Sequence, residues 1–326
     1  MLSFIECVRK YISSISSLPN NNYGYPVECS NSDIQQCWNE KTFKKQADSS
    51  DNIHHGPILL HTHEYSSITS FIFTSCEWIS CEGGTGGGIY TTKAGSTLKV
   101  ISCYFDDCST STDFGGGIAA EHLGTVYISS SSFITCHGQN IHEYNSGGGV
   151  VFLDDTQQCH QIHDCSFIGC YSGADGGAVH LRYSKLTQKD DIVNTRFIDC
   201  KTLYDVFGVE GGALQSYDVT VTCALSNSII TGCHSYNGGG LYLEVKENSH
   251  TNIISFCFFN SNTASGRGND VGLYYFSREM NDEFILYSFS GTESNRLEYY
   301  YINNWCQTSI DWLPLEMTNY LTYSFR

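Results

Sequence analysis

Residues 165–181 read CSFIGCYSGADGGAVHL. The stretch holds an aromatic, Phe167, and a cysteine three positions on, Cys170. A short loop follows, then Gly176-Gly177-Ala178 and the aliphatic Val179. The same phrase recurs at a spacing of roughly thirty residues, a period that marks stacked-repeat architectures. Its other copies begin Phe73…Cys76, Phe105…Cys108, Phe133…Cys136 and Phe197…Cys200, with Ile230…Cys233 and Phe259…Asn262 as variants. The matching triplets are Gly86-Gly87-Gly88, Gly115-Gly116-Gly117, Gly147-Gly148-Gly149, Gly211-Gly212-Ala213 and Gly238-Gly239-Gly240.

Aligning the copies on the aromatic residue extends the pattern both ways. Five positions earlier stand Ile68, Val100, Ile128, Ile162, Ile192, Leu225 and Ile254. Two positions earlier the residue is small: Cys103, Ser131, Cys165, Thr195, Ser228 and Cys257, with Phe71 as the exception. After the triplets come Ile89, Ile118, Val150, Val179, Leu214 and Leu241, and two further on Thr91, Ala120, Phe152, Leu181, Ser216 and Leu243. Alternation of this kind on both sides of a bend predicts short strands, each with one face inward. From triplet to next aromatic the interval is nearly constant. From cysteine to triplet it varies, short from Cys170 to Gly176 and long from Cys200 to Gly211. The constant span reads as wall and the variable span as loop, so length variation leaves one edge of the stack.

These features predict an all-β fold, a right-handed single-stranded parallel β-helix of about seven to eight rungs, the right hand following from the sense of parallel crossovers. Residues 53–275 form the repeats. Residues 1–52 read as an amphipathic capping helix (Phe4, Ile5, Val8, Tyr11, Ile12 and Ile15 on one stripe) and a polar connection containing Asn20-Asn21-Asn22. Residues 276–326 read as a degenerate rung through Phe284, Tyr287 and Phe289, then a Tyr-rich cap with Tyr299-Tyr300-Tyr301, Trp305 and Trp312. Caps are expected because open sheet edges invite aggregation.

The chain has 326 residues and a formal net charge of −17, with charged residues at 16% and only four prolines. A polyanionic surface disfavours nucleic acid and anionic membranes as partners. No apolar run reaches the roughly 18 residues of a membrane span. Glu6, Arg9 and Lys10 stand where a secretory signal would be apolar, so no export signal is expected.

The paired phrase resembles the FxxN and GG[A/G][I/L/V] repeats of bacterial polymorphic outer-membrane proteins, and it is similar to the right-handed β-helix repeats of large surface-protein families of anaerobic protists. The resemblance covers roughly residues 68–275. Only Phe259-Asn260-Ser261-Asn262 keeps the FxxN form, and six copies put Cys where Asn is usual. Gly268-Asn269-Asp270-Val271 resembles the closing copy of such arrays. The resemblance implies a cell-surface or secreted, adhesin-like role with a protein or glycan ligand.

Residue chemistry points away from catalysis and cofactors. Cys76, Cys108, Cys136, Cys170, Cys200 and Cys233 are expected to stack as a ladder of buried thiols, because in-register Cβ atoms about 4.8 Å apart exceed the usual disulfide spacing. The C-x4-C pairs Cys76/Cys81, Cys103/Cys108 and Cys165/Cys170 follow from the repeat rather than from zinc binding. His54, His55, His61 and His63 read as surface residues of an early strand. The positions expected to face outward after each triplet are Tyr90/Thr92, Ala119/Glu121, Val151/Leu153, His180/Arg182, Gln215/Tyr217 and Tyr242/Glu244. Glu121 and Glu244 are too far apart to act as a glycosidase pair. Asp106, Asp107 and Asp199 lie in a bend beside Thr135, Gly169 and Gly232, and Asp154-Asp155 and Asp190-Asp191 read as turns. A site built across the long loops would draw on His142, Glu143, Asp205 and Glu210. No catalytic, cofactor-binding or metal residues are assigned. The expected function is a non-enzymatic structural or interaction protein presenting variable loops. The alternative is a carbohydrate-active enzyme or binding module of the pectate-lyase-like β-helix type, with Tyr90, Tyr217 and Tyr242 as sugar-stacking candidates.

Overall fold

The computed structural model describes residues 35–44, 58–60, 69–92, 94–111, 114–138, 149–154, 159–182, 190–204, 209–219, 223–245, 253–275, 284–287, 297–301 and 321–323. They contain no helix. The amphipathic stripe of residues 4–15, His54, His55, His61, His63, Phe289, Trp305 and Trp312 lie outside them.

The chain winds as a parallel β-solenoid with four sheets, and each strand pairs with the one a full turn away. In the order the chain visits them, the sheets hold strands such as Thr97–Ile101, Tyr104–Asp106, Ser109–Thr110 and Ile118–Glu121. We call these the first to fourth sheets; they carry 10, 8, 7 and 9 strands. Pairing begins well before residue 53: Gln35–Asn39 pairs with Ser70–Thr74, and Thr42–Lys44 with Glu77–Ile79. At the far end Phe284–Tyr287 extends the first sheet in parallel, Leu297–Tyr301 extends the fourth, and Leu321–Tyr323 pairs antiparallel onto Phe284–Leu286. The Tyr-rich segment therefore supplies strands as well as any cap.

Three corners of the turn repeat a left-handed backbone position from turn to turn. The corner before the second sheet does so at Ser75, Ser102, Ser130, Asp164, Asn194, Asn227 and Phe256. The corner after it does so at Ser80, Asp107, Thr135, Gly169, Asp199, Gly232 and Ser261. The third is the glycine corner, at positions such as Gly176 (φ 59). Asn, Asp and Gly tolerate this conformation best, and Ser side chains support turns by bonding nearby backbone. That is why the corner rows are polar while the strands between them are not. At the glycine corner the backbones of successive turns also touch. A Cβ on Gly177 would overlap the Gly212 carbonyl oxygen, so this position excludes every side chain.

Inside the coil the aromatic row forms one stack. Ring centroids are 4.9 Å apart for Phe43–Trp78, 4.3 Å for Trp78–Phe105, 4.7 Å for Phe105–Phe133, 4.8 Å for Phe133–Phe167 and 5.1 Å for Phe167–Phe197. The first copy is thus phased by Trp78, not Phe73. Phe73 pairs with Val100 and stacks on Trp38 in the neighbouring interior row. The bend ladder correspondingly begins at Cys81 and runs through Cys108, Cys136, Cys170, Cys200 and Cys233 to Asn262. Cys76 belongs to the small-residue row with Cys103, Ser131, Cys165, Thr195, Ser228 and Cys257.

The two rows do similar work. A left-handed corner interrupts the strand ladder and leaves backbone groups seeking partners. Asn262 donates from Nδ2 to the Ile230 carbonyl (3.1 Å) and accepts the Cys233 N–H at Oδ1 (2.9 Å). The thiols copy this: Cys170 donates to the Phe133 carbonyl and Cys200 to the Phe167 carbonyl, each at 3.5 Å. Each of these sulfurs also lies against the backbone of the ladder cysteine one turn back. In the other row Thr195 donates to the Ile162 carbonyl (3.3 Å), and Ser131 accepts the Cys103 N–H (3.0 Å). The ten cysteines whose side chains are described are buried and unbridged.

Candidate functional site

The loops that vary in length enter the fourth sheet, so its outer face is where turns differ. The structure sets the register there. Ile118 pairs with Val151 and Val151 with Val179. The third copy is therefore one residue out of step with an alignment on Val150, and Gly149 makes the close contact with the next turn. The outer row is Tyr90, Ala119, Phe152, His180, Gln215, Tyr242 and Gly272.

This row is largely covered. Phe152 is fully buried, His180 and Gln215 are 1% exposed and Tyr242 is 4% exposed. Tyr242 is therefore not an open sugar platform. Tyr90 is half-buried, and Tyr217 is described only as a strand position. The cover is the chain's own: Phe114, from the loop before its triplet, stacks on Phe152 at 4.2 Å.

Below the aromatic cover lies a polar cluster. His180 meets Phe152 edge-on at 5.4 Å, and neither of its ring nitrogens has a hydrogen-bond partner among the described residues. Burial, reinforced by Arg182, pushes its pKa down to about 3 and keeps the imidazole neutral. One turn on, Gln215 donates from Nε2 to Glu210 Oε2 at 3.3 Å, leaving its buried Oε1 unpartnered. Glu210 also interacts with the side chains of Tyr242 and Asn237. Burial raises its pKa to about 7 against those stabilising hydrogen bonds. Its own N–H donates to Asp175 Oδ1 at 2.9 Å.

Asp175, Glu210 and Asn237 each immediately precede a triplet, in three consecutive turns. That row was readable in the sequence, although only Glu210 was singled out there. Of the other loop candidates, His142, Glu143 and Asp205 lie outside the described residues. The bend carboxylates make only local bonds: Asp107 Oδ2 accepts from Ser80 at 3.4 Å, and Asp106 bonds Tyr104 and Thr135.

One correction bears on chemistry. With the register shifted by one, Asp154 ends the strand Val151–Asp154 rather than lying in a turn, and it pairs with Glu121 on one side and Arg182 on the other. Two carboxylate residues therefore do occupy adjacent strands of this sheet, about 4.8 Å apart at the backbone.

Among the described residues no group of three or more His, Cys, Asp or Glu could hold a metal ion. No helix among them is long and apolar enough to cross a membrane. No family model, no curated protein and no solved structure matches this chain.

Proposed function

We propose that the protein is an interaction scaffold, a solenoid presenting loops from one edge to a protein or glycan partner. One observation carries this reading: the outer face of the fourth sheet is covered by its own turns, while those turns differ from one another in length and chemistry. A flat open sheet would suit a polysaccharide groove. A covered one leaves the loop surface, including exposed Leu203 and Tyr204 (45% and 42%), as the variable ground. Aromatic and apolar groups of this kind commonly anchor interfaces. The resemblance to outer-membrane and protist surface repeats supports display outside the cell. A division at residues 1–52, 53–275 and 276–326 is retained for the capping role of its two ends, with strands already present in both.

The test is binding of the full chain to protein and glycan arrays. Replacing residues 203–208 with Gly-Ser of equal length is expected to abolish the binding and leave the circular dichroism melt unchanged. Binding that survives the replacement removes the loops from the interface.

A second reading is glycan chemistry, favoured by the Glu121–Asp154–Arg182 register. Adjacent carboxylates flanked by a cation can divide acid and base roles in glycoside cleavage. Release of reducing ends from a uronate or neutral-glycan panel, lost in both Glu121→Gln and Asp154→Asn, would install this reading in place of the first.

A further inference from the structure

The exposed large apolar side chains among the described residues fall in two places. Leu203 and Tyr204 stand at a loop root. Ile229, Phe256 and Phe258 (36%, 64% and 42% exposed) stand on the outside of the second sheet and at the corner that leads into it. Ile229 and Phe258 are partners on adjacent strands. Phe256 lies two positions before Phe258 with buried Cys257 between them, so both rings point outward. The half-buried Ile134, Ile168 and Ile198, each an outer flank of a strand of that sheet, continue the apolar surface toward earlier turns.

Phe256 departs from its row. The corner before the second sheet is polar in the other turns, at Ser75, Ser102, Ser130, Asp164, Asn194 and Asn227. Phe256 takes the same left-handed backbone (φ 53), a conformation that disfavours bulky side chains. At 64% exposure the ring regains little by burial. It contributes to the surface rather than to the core.

The surroundings are uncharged. Residues 223–243 and 253–266 carry no Asp, Glu, Lys or Arg, although 16% of the chain is charged. They supply the first three sheets of two successive turns: Cys223–Ser226, Ile229–Thr231 and His234–Asn237, then Ile253–Ser255, Phe258–Asn260 and Thr263–Arg267, where Arg267 ends the band. The imidazole within it, His234, shares a hydrogen bond with the Thr263 hydroxyl at 2.9 Å. One turn earlier the same three sheets carry Asp190, Asp191, Arg196 and Lys201.

Charge selects the occupant. At −17 the chain as a whole attracts basic partners and repels copies of itself. The band offers a basic partner no carboxylate to pair with. It offers a second copy a neutral apolar face, and salt screens the repulsion between the remaining surfaces beyond about 8 Å. Sheet faces stack about 10 Å apart, and a two-fold contact sets one patch against itself. We propose that this band is a self-association surface, on which the second sheets of two copies pack face to face through Ile229, Phe256 and Phe258. It is independent of the loop edge proposed above as the site for other partners.

The experiment follows sedimentation of the full chain over a concentration series. The expected result is a monomer–dimer equilibrium that tightens several-fold as sodium chloride rises from about 50 mM to about 500 mM, because screening weakens the net repulsion and leaves the apolar contact. Phe256→Asn/Phe258→Ser restores residues that other turns use at these positions, as at Asn227 and Ser166. This double variant should stay monomeric. At the lowest concentration it should melt at or above the temperature of the native chain. Ile229→Arg, which copies Arg196 one turn back, should also give a monomer. The double variant should keep the array binding that replacement of residues 203–208 abolishes, so the two surfaces fail separately. A native chain still monomeric at about 100 μM overturns the inference. So does a dimer that weakens with salt, one that survives both variants, or one lost on replacing residues 203–208. Melting of the double variant well below the native chain would make Phe256 a residue of the core and also overturns it. Uptake of the native chain, but not of the double variant, by phosphatidylcholine vesicles would assign the band to a lipid surface instead.

Discussion

Inside the coil each turn repeats the last: Phe105 lies on Phe133, Phe133 on Phe167 and Phe167 on Phe197. On the outer face of the fourth sheet the residues in one row are Ala119, Phe152, His180, Gln215 and Tyr242, with no repetition. Both rows are buried, so burial alone does not explain the difference. The interior row must stack on copies of itself at a fixed rise, and like shapes stack best. The outer row meets loops of unequal length, each cut to its own turn. Polar groups without partners are tolerated there, in a layer where one turn can adapt without disturbing the next. Repetition marks what holds the coil, and its absence marks where the molecule is free to specialise.

The largest expected effect breaks the interior side of this contrast. Phe133→Ala removes a ring from the middle of the stack, and removing a buried Phe typically costs about 3–5 kcal/mol. Urea denaturation should show that loss, and a loss under about 1 kcal/mol would mean that the stack does not hold the turns together. His180→Leu tests the outer row. A buried imidazole without partners carries a desolvation cost of about 1–3 kcal/mol, so the variant should match or exceed the native chain in stability.

The same row predicts opposing pH responses. His180 has its folded pKa lowered to about 3. Its contribution is present above the free-histidine range and is lost as pH falls through the folded value. Glu210 is raised from 4.5 to about 7. Its contribution is full below about 4.5 and is lost as pH rises through about 7. Melting temperatures across this window should therefore show His180→Leu removing an acid-side loss and Glu210→Gln removing an alkaline-side loss. Identical pH profiles for Glu210→Gln and the native chain would show that the Glu210 bond to Gln215 holds nothing in place.

A smaller effect is expected where the two corner chemistries are exchanged. Cys170→Asn installs the Asn262 arrangement at a thiol position and should cost less than about 1.5 kcal/mol, as near-isosteric core exchanges do. The smallest belongs to the exposed corner. Asn194→Ala removes a 2.8 Å bond to Asp164 and should change stability by no more than about 0.5 kcal/mol.

The solenoid was legible because the aromatic, cysteine and glycine positions recur together. The phase of its first turn was not. Phe73 and Trp78 are five residues apart, and so are Cys76 and Cys81; five is also the offset between the two interior rows. Sliding the first copy by five maps the pattern onto itself, and only the stack of Trp78 on Phe105 settles it. The third copy failed for a related reason. Gly147, Gly148 and Gly149 precede two valines, and Val150, Val151 and Phe152 are all buried, so no alternation distinguishes the two registers. That single step hid Asp154 beside Glu121. The Glu210 cluster was half legible. Its carboxylate stood out, but the amides that meet it come from Gln215 in the following strand and Asn237 in the next turn, and no local pattern joins them.

The row Asp175, Glu210 and Asn237 also sets a scale. Each of these residues roots one loop, and successive roots are one strand spacing apart, about 4.8 Å. Three neighbouring loops therefore spring from a line only about 10 Å long. A globular partner gripping all three would cover little more than one side chain's reach along the axis. A partner with a wide footprint would have to lie lengthwise and meet many turns at once. The geometry of attachment thus discriminates between a pinch and a splint, and the number of loops whose exchange weakens binding will tell which one the molecule makes.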